Sequence, residues 1–384
     1  MRYSEELWKY ATELREEGLI FDDIAQKCKE KFGKSPCSDH IRKRLRNCTL
    51  KEKPVMDQVR EFKLKNEVKA QKKQEKQLIK ELAKKEAEVE AIAEMKRTPQ
   101  EYSMKATKSP DIDATAFIIA SDWHAEELIN SATVNQLNEF NLKIADERIT
   151  RFFNNSAKLL KVTGNHIKIT KTVLALLGDF ISGNIHDELL ETCQLRPIEA
   201  IIWVQERMIA GIKLLLKKTN QEFVIVCHVG NHTRITKTIH YSTEQGNALE
   251  YFMYHNLQSI FKDEKRIEFV IAEGYHSYLD VYGYTIRLHH GHAIRYGGGI
   301  GGLFIPAYKA ISQWNKSRKA DLDVFGHFHQ LKNGGNFIVN GSLIGYNPYA
   351  LRIKADFERP RQKFFLYTSN GEVTEECPIF LDEQ

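Results

Sequence analysis

Apolar and polar positions along the chain fall into three regimes. Over the first 48 residues the apolar positions recur at helical spacing. Ser4 can cap a first helix, with Glu5 and Glu6 in its first turn and Leu7, Trp8, Ala11 and Leu14 on one face; Gly18 ends it. Asp22-Asp23 opens a second helix carrying Ile24, Ala25, Cys28 and Phe32 and stopped by Gly33. Ser38-Asp39 opens a third, with Ile41 and Leu45 inward and Arg42, Lys43, Arg44 and Arg46 outward.

From residue 51 to 97 Lys and Glu alternate densely, with no Gly and only Pro54. Good helix formers dominate. Leu78, Leu82, Val89 and Ile92 lie near heptad spacing, interrupted by Lys85. A long exposed helix is expected, pairing copies through residues 56–95 as a homodimer or higher homo-oligomer, or else a solvated single helix or partly disordered tether. Thr98 to Pro110 reads as a hinge.

The third regime consists of short apolar runs bounded by Gly, the pattern of strands buried on both faces. These are Thr115–Ala120, the run from Leu174 that stops at Gly178-Asp179, Glu222–Val229, Asp321–Phe325 and Asn336–Asn340. Tyr275–Val281 and Tyr284–Leu288 form a pair about Tyr282-Gly283, and residues 363–376 a hairpin about Asn370-Gly371. Helical stretches are expected near 131–160, 201–216, 243–261 and 304–318. The chain therefore reads as an α/β protein in three parts: a small all-α head (1–50), a charged helical connector (51–110) and a large α/β domain (111–384).

The 384 residues contain no run of about 18 apolar positions and no apolar leader after Met1, so a cytoplasmic protein is expected. Six scattered cysteines suit a reducing compartment. Cys28, Cys37, His40 and Cys48 match none of the usual zinc spacings. The net charge of +5 permits a nucleic-acid partner without demanding one, so its distribution matters more. Three compact helices with a basic third form the helix-turn-helix pattern, which makes Arg42, Lys43, Arg44 and Arg46 candidate DNA contacts. A small bundle that docks protein would show the same pattern.

Metal-ligand residue types stand at the strand exits. Ala120 is followed by Ser121-Asp122-Trp123-His124, and the Leu174 run by Gly178-Asp179. The strand at 222–229 exits at Gly230-Asn231-His232, the pair at His289-His290-Gly291-His292, and Phe325 at Gly326-His327-Phe328-His329. Each motif is weak alone; five in order are specific. Carboxylates with imidazoles suit Mn, Fe or Zn better than Ca or Mg. Two divalent ions about 3.5–4 Å apart need a ligand that reaches both, and Asp179 is the carboxylate in the middle motif.

These five motifs, spanning nearly all of residues 113–345, resemble those of the calcineurin-like metallophosphoesterase superfamily, and are similar to SbcD-type DNA nucleases and phage-type phosphoesterases. The head likewise looks like helix-turn-helix heads of phage and recombinase proteins. The resemblance implies a four-layer α/β/β/α sandwich and two divalent ions, Mn2+ first, with Fe, Zn or Mg as alternatives. Asp122, His124 and His329 would complete one metal shell, and Asn231, His290 and His327 the other, with Asp179 shared. It implies direct hydrolysis of a phosphodiester by a hydroxide bridging the metals, with His232 serving the leaving oxygen, and a phage-encoded protein acting inside a bacterial host.

Gly164-Asn165-His166 repeats the Gly-Asn-His triplet but follows a helix, and reads as a helix C-terminal turn. His289 should face away from His290 by strand alternation, and His228 reads as a core or supporting histidine. His292, Arg234 and Arg295 are candidates for holding substrate. Two departures from the family pattern stand out. Thr233 follows Gly-Asn-His where an acidic residue is common, which puts the support of His232 in doubt. Asp179 is followed by Phe-Ile-Ser-Gly, which argues against a phosphoprotein phosphatase. The expected activity is a two-metal DNA nuclease. The alternatives are a phosphoesterase on a small nucleotide or phosphoprotein, and a DNA-binding scaffold without catalysis.

Overall fold

The computed structural model describes residues 3–48, 69, 71–80, 82–86, the backbone of 102–104, 112–296 and 301–382. The chain divides into two compact units, Met1–Lys96 and Arg97–Gln384.

In the first unit α1 (Glu5–Glu16), α2 (Phe21–Phe32) and α3 (Ser38–Arg44) follow the apolar pattern. Ser4 accepts the N–H of Leu7 at 3.3 Å, and Gly33 ends α2 at φ 64°, where a Cβ would cost about 1 kcal/mol or more. Leu7, Trp8, Ala11, Leu14, Ile24, Cys28, Ile41 and Leu45 form one core. Arg42, Lys43, Arg44 and Arg46 are exposed. Arg44 lies 4.7 Å over Trp8, and Arg42 pairs with Asp39 at 3.2 Å. Residues 71–80 and 82–86 are helical, with Leu78 and Leu82 exposed. Val89, Ile92, Pro54 and the expected hinge, apart from Tyr102–Met104, lie outside the described residues.

The second unit holds two six-stranded sheets. The first runs β12 (Val373–Phe380), β11 (Arg361–Thr368), β2 (Asp113–Ala120), β3 (Lys168–Leu176), β4 (Phe223–Cys227) and β5 (Ile267–Ile271). Strands β2 to β5 are mutually parallel, with β11 antiparallel to β2. The second sheet runs β1 (Tyr102–Met104), β6 (Ser277–Val281), β7 (Tyr284–Leu288), β8 (Leu322–Phe325), β10 (Phe337–Val339) and β9 (Lys332–Asn333). Here β7, β8 and β10 are parallel neighbours.

Alternation explains why the strands read as continuous apolar runs. In β2, Ala114, Ala116, Ile118 and Ala120 face one core while Phe117 and Ile119 face another; in β3, Leu174 and Leu176 are opposed to Val173 and Ala175. One core is closed by α4 (Leu142–Thr163), α5 (Pro197–Lys218) and α6 (Leu249–Ile260) through Phe152, Val204, Met208 and Leu257. The other lies between the sheets, where Phe117 stacks on Phe365 at 4.7 Å and Ile286 and Val324 pack from the second sheet. On that sheet's outer face, α7 (Phe304–Trp314) packs Ala307 and Ile311 against Phe325 and Phe337.

Several elements differ from the expected ones. The helix expected from residue 131 is a single 3-10 turn there, and α4 starts at Leu142, because Asn141 caps it by accepting the N–H groups of Lys143 and Ile144 at 3.0 Å. The helix expected from 243 starts at Leu249, because Ala248 is extended and bridged to Arg234. Strand β5, the half-buried edge strand of the first sheet, has no counterpart in the sequence reading, although Phe269 to Ala272 are apolar. Among the described residues no helix is long and apolar enough to cross a membrane. The six cysteines are all free thiols.

Candidate active site

Strands β2, β3 and β4 are parallel neighbours and release Asp122, Asp179 and Asn231 at one edge of the first sheet. Strands β7 and β8 release His290 and His327 from the second. The two edges are tied together: the His290 Nδ1 donates to the Leu177 carbonyl at 2.6 Å, and the His327 N–H to the Asp122 carboxylate at 3.0 Å. Asp122, His124, Asp179, His327 and His329 all have φ between 46° and 70°. Non-glycine residues in this region are strained by roughly 1–3 kcal/mol each and persist where surrounding structure holds them. The neighbouring glycines make room. A Cβ on Gly230 would lie 2.0 Å from Asp179 Oδ1, and one on Gly326 2.4 Å from Asp122 Oδ2.

The predicted ligands converge. Donor atoms of Asp122, His124 and His329 lie within 4.8 Å of one another, as do those of Asp179, His290 and His327, and of His124, Asp179 and His232. His124 Nε2 faces His329 Nε2 at 3.2 Å, and His290 Nε2 faces His327 Nδ1 at 3.2 Å. His290 Nε2 also lies 2.9 Å from Asp179 Oδ2 and 3.2 Å from the Asn231 amide oxygen. Two of these imidazoles have their other nitrogen already engaged. His290 Nδ1 must donate, because its partner is a carbonyl, and His124 Nδ1 contacts Ser182 Oγ at 2.9 Å. Their Nε2 atoms are left aimed at common points, as a metal requires; on His290 that atom holds a proton toward Asp179 that a cation would displace. The donor set thus fits divalent cations, and these histidine and aspartate clusters could bind them.

The electrostatics agree. Burial lowers His124 well below the usual imidazole range, and neighbouring His232 and His329 lower it further; His327 is lowered by burial and by His290. Burial alone would lower His290 too, but the Asp179 carboxylate overrides it and lifts the ring to about 10. Burial would raise Asp179, yet His290 and His232 hold it well below its usual range. Buried imidazoles around the carboxylates of Asp122 and Asp179 form a site that gains by taking up positive charge.

His232 has the support that Thr233 put in doubt. Its Nδ1 donates to the Ser182 carbonyl at 3.0 Å and its N–H to Asp179 Oδ1 at 2.8 Å. Ser182 Oγ in turn donates to Glu127 at 2.7 Å. The missing acidic neighbour is replaced from α6. Glu250, fully buried, accepts from Phe180 N–H and Gly230 N–H at 2.8 Å and from Thr233 Oγ1 at 3.0 Å. Burial and the charge of Asp179 push Glu250 up to about 8. Glu126 likewise receives Ser182 N–H and Gly183 N–H. Glu126, Glu127, Ser182 and Glu250 escaped the sequence reading. None stands in a strand-exit motif, and the only signal was that buried backbone donors at those exits need acceptors.

His292 lies beside the cluster, its ring 5.5 Å from that of His290, with Nε2 held by Glu244 at 2.8 Å. Arg234 donates to the Asn231 carbonyl at 2.5 Å, while its buried Nε has no partner. Arg295 is exposed. His289 faces away from His290, stacked on Phe325 at 4.9 Å, and His228 is buried. His166 is in the turn after α4, 3.5 Å from Glu375. In the Gly-rich run from Gly297 to Gly302, residues 297–300 lie outside the described residues. The head residues Arg42, Lys43, Arg44 and Arg46 belong to the other unit.

No protein-family model matches the chain. No curated protein matches it either. Among solved structures, a hypothetical protein of Pyrococcus horikoshii aligns at 10% identity over 70% of this chain and 89% of that one, with a TM-score of 0.36. The sulfate thiohydrolase SoxB of Thermus thermophilus, in complex with glycerol, aligns at 9% identity over 71% of this chain and 58% of its own, with a TM-score of 0.29. Vps29 of Chaetomium thermophilum aligns at 10% identity over 70% and 98%, with a TM-score of 0.24. At TM-scores this low the likenesses decide neither fold nor activity, and the site's own geometry has to carry both.

Proposed function

We propose that the chain is a metal-dependent phosphoesterase of the calcineurin-like type that hydrolyses phosphodiester bonds, with DNA as its substrate. The observation that carries this reading is the shared position of Asp179, which belongs to a donor group with His290 and His327 and to another with His124 and His232. Asp122, His124 and His329 would hold one divalent ion, Asn231, His290 and His327 the other, and Asp179 both. Bound there, a pair of ions supplies the Lewis-acid charge that phosphoester hydrolysis needs. The chain's own residues supply the rest. His232 is fixed through Nδ1, leaving Nε2 for a proton handed to the departing oxygen. Arg234 sets a guanidinium beside the phosphoryl position.

The packing of helices, sheet, sheet and helix supports the four-layer α/β/β/α reading. The exposed basic face of α3 supports reading the head as a helix-turn-helix that brings the site to DNA. The test is cleavage of labelled single- and double-stranded DNA and of bis(p-nitrophenyl) phosphate by the full chain with Mn2+. Both activities should vanish with EDTA and in Asp179→Asn. Hydrolysis of the aryl diester with DNA left intact would retain the phosphoesterase and reject the nuclease. Inertness toward both would reject the activity.

A further inference from the structure

A cavity of about 520 Å³ opens beside the cluster and is lined by His232, Thr233 and Arg234 on one side. Its other walls carry Pro197 and Ile198 at the start of α5, Ile181 from the Asp179 loop, and Ile235 with Leu249, to which Asn184 and Glu199 add two polar side chains. Ile198 and Ile235 are 65% and 67% exposed, so the mouth presents two branched apolar side chains to solvent. Exposed isoleucines beside a polar metal-type cluster leave apolar area in water unless a ligand covers them. Arg234 reaches this cavity with a buried Nε that has no partner, and Arg196 stands at its edge. Nothing in the hydrolysis of a bare phosphate calls for an apolar chamber of this size.

His232 fixes which part of a substrate enters. It shares a donor group with His124 and Asp179 and lines the cavity as well. A group that gives its proton to the departing oxygen must face the departing half of the substrate. We infer that the cavity is the leaving-group pocket and that it seats one nucleoside, its base between Ile198 and Ile235, with Arg234 at the scissile phosphate beside it. The volume lies within the roughly 300–1,000 Å³ of pockets that take ligands of this size, and apolar walls with a few placed polar groups are their usual make-up. In the step served, a water oxygen joins phosphorus and yields one proton to solvent, the bond to the departing nucleoside oxygen breaks, and that oxygen takes the proton from His232, which regains one from solvent. The enzyme would then release single nucleoside units from a strand end or a dinucleotide. This inference rests on the phosphoesterase reading for its chemistry, but the pocket can be tested without it.

The experiment uses the full chain with thymidine and the dinucleotide dTpdT as probes, in wild type, Ile198→Asp and Ile235→Asp. Both substitutions fall on exposed side chains. Saturation-transfer NMR of thymidine on metal-free protein reads the pocket alone, and a signal lost in both variants is expected. With Mn2+, dTpdT should be cleaved, and kcat/KM should fall about tenfold in each variant. Hydrolysis of methyl p-nitrophenyl phosphate, whose anionic leaving group needs neither proton nor base contact, should change less than about twofold. Thymidine binding that the variants abolish, with no hydrolysis of either diester, would keep the pocket and sink the phosphoesterase. Hydrolysis of the aryl diester with no thymidine signal, or with dTpdT cleavage indifferent to both variants, would sink the pocket and keep the phosphoesterase.

Discussion

Asp179 and Glu250 sit on opposite sides of the same loops and do different things with the same carboxylate. Asp179 faces the imidazoles, and Glu250 faces backbone: two N–H groups and the Thr233 hydroxyl end on it. Glu250→Ala would leave the donors of Phe180 and Gly230 buried without acceptors, at about 1–3 kcal/mol each. We expect urea unfolding to show a loss of at least about 2 kcal/mol, and Mn2+ affinity to drop about 10- to 100-fold, the scale for residues that orient ligands. Glu250→Gln keeps one acceptor oxygen and should recover part of both. Unchanged metal affinity in Glu250→Ala would show that the Asp179 and Asn231 loops hold their geometry without it. The ligand residues themselves were legible in the sequence, because strand exits are marked by Gly beside Asp, Asn or His. Glu250 was not, because its role depends on two loops meeting over a helix 17 to 70 residues away in the chain.

At the level of elements, histidines at strand ends of both sheets are packed away without a ligand role: His228 follows β4 and is buried, and His276 precedes β6 and is half-buried. Burial, with His289 and Arg287 nearby, lowers His276 to about 2; burial, with His289 and His290, lowers His228 to about 3. Both are neutral when folded and titrate near the ordinary 6.5 when unfolded. Acid therefore favours the unfolded chain: the stability they contribute is present above about 6.5 and is lost as pH falls from there toward about 3. Each such group costs up to about 1.4 kcal/mol per pH unit in that window. His276→Gln should lose about 2 kcal/mol less than wild type between pH 6.5 and 5 in urea melts of the metal-free protein. An equal loss would mean that His276 titrates normally. Strand alternation foretold that His289 turns from His290, since a period of two is local. The neighbourhood of His276, Trp314 and Arg287 was not legible, because it joins β6, β7 and α7 across the outer face of the sheet. Element boundaries failed where a single Asn or an extended Ala overrode helical periodicity, at Asn141 and Ala248.

For the whole molecule, the proposal joins a basic head to a hydrolytic unit. Four exposed cations on or just after α3 would meet phosphates, so DNA binding by the full chain should weaken steeply with salt. Replacing Arg42, Lys43, Arg44 and Arg46 by Gln should flatten the dependence of log K on log salt by up to about 0.9 per phosphate contact removed. Hydrolysis of bis(p-nitrophenyl) phosphate should not change. Fluorescence anisotropy at several salt concentrations reads the slope; an unaltered slope would take DNA away from the head.

The central claim is that two divalent ions share Asp179. The most direct measurement is metal stoichiometry by equilibrium dialysis against Mn2+, followed by elemental analysis of the full chain and of Asp179→Ala. The account predicts two equivalents per wild-type chain and at most one weakly held in the variant. No tightly bound metal in the wild type, or two equivalents retained by Asp179→Ala, would contradict it.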